Sequence, residues 1–381
     1  MKIKKYLNLF DRVKESSLQG RYITNKSIEK CLKKFSKAEI STIGFSVEKQ
    51  PIYLVKYGSG AKRVLMWSQM HGNESTTTKA LFDTFNFLES DLDESIKIKE
   101  TCTLFFIPIL NPDGAERYTR LNKNLVDLNR DAQDLSQPES RVLRKVFENL
   151  KPHFCFNLHG QRTIFGAGNA NKPASMSFLS PSQDKDRSIS SNRNIAMSII
   201  IGINNVLQAI IPNQIGRYDD SFNLNCVGDT FQSLGVPTIL FEAGHIQADY
   251  EREEIRKIVF AALIEGLYQI IGEKFNRDYK TYFKIPENKK TFFDVIIRNF
   301  NFERVEEENL DMGIQFEERL FNGQIIFIPI IKSISKLDRQ YGHREINAKG
   351  NILKTGNNLP LEVGNEIDFV LIKNEKIALK P

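Results

Sequence analysis

Between about residues 50 and 272, short apolar runs alternate with longer segments in which apolar residues recur at helical spacing. The short runs are rich in aromatic and β-branched residues, which is typical of strands buried on both faces of a parallel sheet. The alternation therefore predicts an α/β fold, with a mixed, largely parallel sheet flanked by helices. The clearest strand runs are residues 63–68, 154–160 and 237–242, and the clearest helical patterns are residues 75–88, 139–150 and 255–271.

The pattern changes after about residue 284, where short strand-like runs follow one another with turns rich in Gly and Asn between them. Such spacing is typical of a small β domain. We therefore predict an α/β domain over residues 1–283 and a small β-rich C-terminal domain over residues 284–381. The runs that support the second domain are residues 292–297, 324–328 and 367–372.

Two segments outside the strand runs also have a predicted form. Residues 1–45 are polar with a helical pattern, so we predict a helical N-terminal extension. Residues 166–194 are rich in Ser, Asn, Gly and Pro, which predicts a long loop just after the run that ends near residue 160. Loops of this length in compact domains are often functional.

Composition narrows the classes of partner. The chain has 381 residues, with 53 Lys and Arg against 47 Asp and Glu, and the basic residues are spread rather than clustered. A spread excess of basic charge favours solubility over nucleic-acid binding. No segment is long and apolar enough to span a bilayer, so we predict neither a nucleic-acid nor a membrane partner. The sequence assigns no oligomeric state.

The cysteines and the N-terminus bear on the cellular compartment. Four cysteines show no paired spacing, so neither a disulfide framework nor a thiolate metal site is predicted. The N-terminus begins with a basic cluster but reaches Asp11 and Arg12 before an adequate apolar stretch accumulates. We therefore predict no secretory signal and a cytoplasmic location.

Histidine and glutamate side chains follow the predicted strands at the points where the strands end. His71 and Glu74 stand three residues apart after the first run, His159 ends the second, and Glu242 ends the third. In open parallel sheets, ligands bind outside the carboxyl ends of the strands. Imidazole nitrogen and carboxylate oxygen are ordinary zinc donors, and a catalytic zinc takes three protein ligands and a water. Of the five histidines, His245 also lies at such an end, where we assign it to the surroundings of the site.

Five motifs of the chain resemble, in their residues and in their order, those of zinc metallocarboxypeptidases of the carboxypeptidase A type. The resemblance covers roughly residues 50 to 270 and implies one zinc ion per chain, with Glu242 as general base. It also implies that Asn129 and Arg130 hold the terminal carboxylate of a substrate. The implied zinc ligands are His71, Glu74 and His159, and the motifs are His-Gly-Asn-Glu at 71–74, Asn-Pro-Asp-Gly at 111–114, Asp-Leu-Asn-Arg at 127–130, Leu-His-Gly at 158–160 and Phe-Glu-Ala-Gly-His at 241–245.

The roles of three further residues remain open between two interpretations each. Arg120 is the candidate to polarise the scissile carbonyl, since its spacing before the Asp-Leu-Asn-Arg motif fits better than that of Arg117. Tyr218 is the nearest match to a tyrosine that many carboxypeptidases carry in a mobile loop. The alternative interpretation is a surface-loop tyrosine without a role in the site. Asp229 pairs with a basic substrate group in one interpretation and caps a turn or helix in the other.

One departure from the family pattern follows the carboxylate-binding motif, where Asp131 and Ala132 replace the usual asparagine and aromatic residue. An acidic neighbour would either neutralise Arg130 or orient it. We predict a zinc-dependent hydrolase of a peptide or amide bond, and favour a carboxypeptidase acting on small peptides. The alternatives are an N-acyl amino acid amidohydrolase, similar to succinylglutamate desuccinylase and aspartoacylase, and a non-catalytic binding protein on the same fold.

Overall fold

The computed structural model describes residues 2–302, 309–355 and 360–381. Short 3₁₀ turns occur at Leu128–Arg130 and Tyr279–Lys284. The helices are α1 (Lys2–Val13), α2 (Asn25–Leu32), α3 (Thr76–Glu89), α4 (Asp93–Thr101), α5 (Pro112–Arg117), α6 (Pro138–Leu150), α7 (Ser191–Leu207), α8 (Val227–Ser233) and α9 (Glu253–Ile271).

The strands form one large sheet and several smaller ones. None of the described helices has the length and apolar character needed to cross a bilayer. The strands are β1 (Glu39–Phe45), β2 (Pro51–Tyr57), β3 (Lys62–Trp67), β4 (Cys102–Ile107), β5 (Phe154–Gly160), β6 (Phe165–Ala167), β7 (Met176–Leu179), β8 (Ile215–Arg217), β9 (Thr238–Ala243), β10 (Asn288–Lys290), β11 (Phe292–Phe300), β12 (Leu310–Phe321), β13 (Gln324–Ser335), β14 (Tyr341–Asn347), β15 (Leu353–Thr355), β16 (Phe369–Ile372) and β17 (Glu375–Ala378).

The large sheet has eight strands in the order β1-β2-β4-β3-β5-β9-β7-β8. Its centre is parallel, because β3 pairs in parallel with both β4 and β5, and β5 pairs in parallel with β9. Antiparallel pairs lie towards both edges, at β1 with β2, β2 with β4 and β7 with β9. The predicted mixed, largely parallel sheet flanked by helices is confirmed.

Alternate side chains of the central strands enter two different cores. In β3, Val64 and Met66 join the core that contains α3, α7 and α9, whereas Leu65 and Trp67 join the core that contains α6 and α8. All four side chains are fully buried. A strand with a side-chain period of two can be apolar at every position only if both faces are covered. The continuous apolar runs in the sequence are therefore the direct result of helices on both faces.

The strands after residue 284 build a four-stranded sheet in the order β13-β12-β11-β14 and a three-stranded sheet in the order β15-β16-β17. These two sheets enclose their own apolar core, in which Ile314, Ile331 and Val370 are buried. The short strand β10 instead pairs with β6, which lies just after β5 in the chain. The C-terminal part of the chain therefore contacts the large α/β part next to the carboxyl end of β5.

Two segments differ from the pattern-based prediction. Residues 1–45 are helical only at α1 and α2, and residues 39–45 form the edge strand β1, which pairs with β2. Most side chains of β1 are exposed, so the strand lacks the apolar run that marks a buried strand. The predicted loop at residues 166–194 contains the buried strand β7 and the start of α7. Four residues are too few for a strand to be recognised among the turn-forming residues around it.

Candidate active site

The site lies where β3, β5 and β9 end side by side. His159 and Glu242 are direct partners in the parallel register of β5 and β9, so their side chains project at the same edge of the sheet. His71 follows β3 after a short turn that needs the glycine beside it. A Cβ at Gly72 would lie 2.0 Å from the backbone carbon of Gly114, so only glycine fits this approach. The turn directs His71 and Glu74 back towards His159.

The three predicted zinc ligands converge on one point. The Nδ1 atoms of His71 and His159 lie 2.9 Å from the two carboxylate oxygens of Glu74, and the two nitrogens lie 3.0 Å apart. Both imidazoles are buried. Two ring nitrogens at this distance repel each other unless a proton or a cation stands between them. The donor set and its burial fit a Zn²⁺ ion, and no other described group of His, Cys, Asp and Glu side chains converges in this way.

Asp127 supports this arrangement from behind His71, and the sequence reasoning assigned it no role. Its Oδ1 lies 3.1 Å from His71 Nε2 and also accepts the backbone N–H of Asn129 at 2.9 Å. Burial alone would raise the pKa of Asp127, but the bond from His71 and the charges of His71 and Arg120 lower it overall. A carboxylate on the distal nitrogen fixes the tautomer and ring orientation of a metal-binding histidine. The Nε2 of His159, in contrast, is buried and has no partner among the described residues.

Glu242 lies beside the donor cluster and is not one of the converging donors. Its Oε2 is buried and has no hydrogen-bond partner among the described residues. Burial, followed by the charge of Glu74, raises the pKa of Glu242 well above its usual range, although Arg120 and Arg252 oppose the shift. A carboxyl group that is desolvated, unbonded and near a second carboxylate is suited to exchange a proton.

The structure brings Arg120, and not Arg117, into the site. The guanidinium of Arg120 contacts Asp127 Oδ2 through Nε and Nη2, at 3.1 and 3.0 Å, and its Nη1 lies 3.5 Å from Glu74 Oε1. Its side chain remains 47% exposed, so it is open to a ligand. Arg117 instead forms an ion pair with Glu48 at 2.6 Å, away from the donor cluster.

The other predicted site residues line the same cavity, which has a volume of about 680 Å³. Asn129 accepts the backbone N–H of Val227 at 3.2 Å, and Arg130 donates to the carbonyl of Asn129 at 2.9 Å. Arg130 is exposed and forms no ion pair with a described residue. Asp229 is buried and accepts the backbone N–H of Asn223 at 2.8 Å, so the turn-forming role and a place in the cavity coexist. Burial raises the pKa of Asp229 to about 6.

The positions of Tyr218 and Asp131 bear on two alternatives that the sequence left open. Tyr218 is partly buried in the cavity wall, and burial followed by the charges of Glu242 and Glu74 raises its pKa. Asp131 does not neutralise Arg130, because its carboxylate accepts bonds from Ser136 and Gln137 at the start of α6. The sequence predicted that residues 221–229 line the side-chain pocket, and Asn223 and Cys226 of this segment do line the cavity, whereas Arg162 belongs to no motif and was missed.

The family comparison agrees with this geometry. Residues 24–135 match the model of the zinc carboxypeptidase family, a stretch that contains His71, Glu74, Arg120 and the Asp-Leu-Asn-Arg motif. The resemblance to zinc carboxypeptidases is confirmed. The match ends before His159 and Glu242, so it is the fold that brings the second half of the carboxypeptidase-like site to the first.

Individual relatives are similar over a limited part of their length. Carboxypeptidase 2 of Trichophyton rubrum is 26% identical over 115 residues, which is 30% of this chain and 21% of that protein. Carboxypeptidase 2 of Trichophyton tonsurans is 27% identical over 118 residues, again 21% of its length. The matched stretch thus spans about a fifth of the length of these relatives.

Solved structures show the same fold at lower identity. A metallo-carboxypeptidase from Burkholderia cenocepacia has a TM-score of 0.52 and 16% identity, covering 66% of this chain and 70% of its own. A metallo-carboxypeptidase from Pseudomonas aeruginosa, in complex with (2-guanidinoethylmercapto)succinic acid, has a TM-score of 0.53 and 13% identity, covering 67% and 70%. The large sheet and its helices therefore have the carboxypeptidase architecture.

Proposed function

We propose that the protein is a zinc-dependent hydrolase of peptide or amide bonds, and specifically a carboxypeptidase that removes a C-terminal residue. The observation that carries the proposal is the cavity described above, in which three converging donors lie together with a carboxyl group and a guanidinium that form no ion pair with a described residue. The donors are His71, Glu74 and His159, and the proposal assigns them one zinc ion per chain. Glu242 and Arg130 supply the other two features.

Glu242 has the surroundings that a general base needs. When bound at such a site, zinc lowers the pKa of water to about 7 and polarises a carbonyl. Glu242 takes the proton from the attacking water at its free Oε2 and passes it to the leaving amine. Its raised pKa suits the first transfer, because the carboxylate of a more acidic carboxyl group would be too weak a base to take a proton from water.

Two side chains stabilise charge that develops on the substrate. Arg120 keeps its guanidinium beside Glu74 while remaining half exposed, so it can donate to the oxyanion of the scissile group. The raised pKa of Tyr218 keeps its hydroxyl protonated. The phenol O–H can therefore donate a hydrogen bond to an anionic group of the substrate. Both side chains act as fixed donors in a partly desolvated cavity.

Recognition of the substrate rests on Arg130 and Asp229. Arg130 presents a planar, always charged fork that suits a terminal carboxylate, with Asn129 adjacent. Asp229 places a buried carboxyl in the same cavity, which suits a basic side chain. The ligand of the Pseudomonas aeruginosa metallo-carboxypeptidase combines a guanidino group with a succinic acid, and these groups have the charges opposite to those of Asp229 and Arg130. We therefore propose small peptides with a basic C-terminal residue as preferred substrates.

One structural feature favours a second candidate. An N-acyl amino acid amidohydrolase, similar to succinylglutamate desuccinylase and aspartoacylase, also carries a C-terminal β domain, and strands β11–β17 form such sheets here. A non-catalytic binding protein would not need Glu242 beside intact donors. Cytoplasmic location stays a prediction, as does the absence of nucleic-acid and membrane partners.

The deciding experiment is a cycle of protein and substrate variants. Purified zinc-loaded parent, Arg130→Ala and Arg130→Lys are assayed with peptides that end in a free carboxylate or in an amide, and with N-acyl amino acids. A hydrogen bond to a charged group contributes about 1.5 to 3 kcal/mol, so Arg130→Ala should cost roughly ten- to a hundredfold in kcat/KM for the free acid. Arg130→Lys should recover only part of this loss, because a point charge cannot form two parallel bonds.

Amidation should impair the parent but scarcely affect Arg130→Ala. Arg339→Ala, at an exposed arginine of the C-terminal part, is the matched control and should behave like the parent. If the losses from amidation and from Arg130→Ala simply multiply, Arg130 does not bind the carboxylate. Turnover of N-acyl amino acids without turnover of peptides would select the amidohydrolase instead.

A further inference from the structure

A short segment at the start of the C-terminal part of the chain, residues 286–290, lies against the wall of the active-site cavity. On one side its strand β10 pairs with β6, and the backbone N–H of Gly168 donates to the backbone carbonyl of Glu287 at 2.8 Å. On the other side Glu287 forms a parallel bridge with Arg217, whose N–H donates to the carbonyl of Pro286 at 2.8 Å. The 286–290 segment therefore lies between β6 and β8, two strands that flank the cavity.

One aromatic residue of the cavity wall lies in β6, and another directly follows β8. Tyr218 directly follows β8 and donates its backbone N–H to the carbonyl of Phe178 at 3.0 Å. Phe165 begins β6, and its ring centroid lies 5.5 Å from that of Tyr218. Both residues line the cavity. The contact between the rings is thus fixed from outside by backbone bonds to the 286–290 segment.

Asn288 adds side-chain bonds at the same place. Its Nδ2 donates to Gln161 Oε1 at 2.9 Å, and its Oδ1 accepts the hydroxyl of Ser177 at 3.0 Å. Gln161 stands two residues after the metal donor His159 and also lines the cavity. A Cβ on Gly216 would lie 1.8 Å from Asn288 Oδ1, so glycine at this position is what admits the Asn288 side chain against β8.

We propose that Asn288 is a positioning residue of the active site, which holds Tyr218 in the cavity wall so that its hydroxyl meets the substrate without a prior loop movement. The proposal rests on the proposed function, because it assigns Tyr218 a contact with the substrate. It also gives the C-terminal part of the chain a role in catalysis. Side chains of a catalytic site are effective when neighbouring elements fix them before the substrate arrives.

A double-mutant cycle tests whether Asn288 acts through Tyr218. Tyr218→Phe removes one hydroxyl and should lower kcat/KM for a peptide about tenfold, the usual scale for one hydrogen bond to a charged group. Asn288→Ala should cause a similar loss. The double variant should lose about tenfold in total, since an unpositioned tyrosine no longer contributes. A loss that is the product of the two single losses would overturn the proposal.

Hydrogen exchange of the substrate-free protein provides a readout that does not depend on activity. Asn288→Ala should speed exchange of the backbone N–H groups of Arg217 and Tyr218 by about tenfold or more, because the bonds at β8 open more often. The matched control is Asn301→Ala, which removes a C-terminal side chain that also forms two bonds, at 3.0 and 2.8 Å, but lies outside the cavity. This control should leave exchange at both sites and kcat/KM unchanged.

The two readouts separate failure of this proposal from failure of the proposed function. If the parent hydrolyses no peptide or amide but exchange responds to Asn288→Ala, the proposed function fails and the positioning of Tyr218 stands. If exchange at Tyr218 is unchanged in Asn288→Ala, positioning by Asn288 is wrong even in an active enzyme. Gly216→Ala gives a second variant, and it should reproduce the exchange result because its methyl group displaces the Asn288 side chain.

Discussion

The metal end of the cavity, formed by His71, Glu74, His159 and Glu242, and the wall around Tyr218 are built in different ways. The metal end uses neighbouring parallel strands, whose ends coincide because the register of β5 and β9 sets His159 opposite Glu242. The wall joins β6, β8 and β10, which are separated by long stretches of chain and meet only through tertiary contacts. The chemistry of the site thus depends on local motifs, whereas its shape depends on contacts with the C-terminal part. Variants in the two regions should therefore fail in different ways.

The largest expected effect separates the base from the ligands at the metal end. Glu242→Gln should keep zinc bound but lower turnover by at least about a hundredfold, because an amide cannot take a proton from water. Glu74→Gln should weaken zinc binding itself, since Glu74 contacts both histidines. Metal content by elemental analysis, measured beside kcat, checks both variants. Equal loss of metal in the two variants would refute this division of roles.

A smaller effect is expected one layer away from the metal donors. Asp127→Asn should weaken zinc affinity by about 10- to 100-fold, because the amide holds the His71 ring less firmly and lacks the negative charge. Competition with a zinc chelator measures this affinity directly. Asp338→Asn, at an exposed aspartate, is the control and should bind zinc like the parent. An unchanged affinity in Asp127→Asn would show that His71 is oriented by other contacts.

The smallest expected effect concerns specificity and has a defined pH dependence. The pKa of Asp229 is raised to about 6, so the carboxyl is mostly neutral below this pH and charged above it. The ratio of kcat/KM for a basic over a neutral C-terminal residue should therefore rise between about pH 5 and pH 7. The ratio cancels pH effects that both substrates share. In Asp229→Asn the ratio should be low and flat, and a flat ratio in the parent would exclude a role for Asp229 in binding basic residues.

The convergence of His71, Glu74 and His159 at one edge of the sheet could be predicted from the sequence for a physical reason. A buried parallel strand must be apolar on both faces, so β3, β5 and β9 stand out as runs, and the polar residues that end them stand out in turn. Arg120 was preferred over Arg117 by spacing, and the structure places Arg120 in the site. Asp127 was missed although it lies in a quoted motif, because nothing in a linear pattern shows which side chain faces the distal nitrogen of a histidine.

Strands β1 and β7, and the contacts that hold the wall around Tyr218, could not be predicted from the sequence. Strand β7 is short and lies among turn-forming residues, and the edge strand β1 has mostly exposed side chains, so neither gives a periodic signal. Asn288 contacts Gln161 across 127 positions of the chain, and no local pattern records such a contact. Gly216 carried the available clue, since a glycine inside a strand often marks the close approach of another segment.

Zinc titration of four proteins tests the central claim most directly. The parent should bind one zinc ion per chain, and His71→Ala and His159→Ala should each abolish stoichiometric binding, because each removes one of three converging donors. His153→Ala is the matched control, since His153 is exposed and its ring nitrogens bond to Arg63 rather than to the donor cluster. It should bind zinc like the parent. If His71→Ala and His159→Ala both hold zinc as tightly as the parent, the metal does not bind at this end of the sheet.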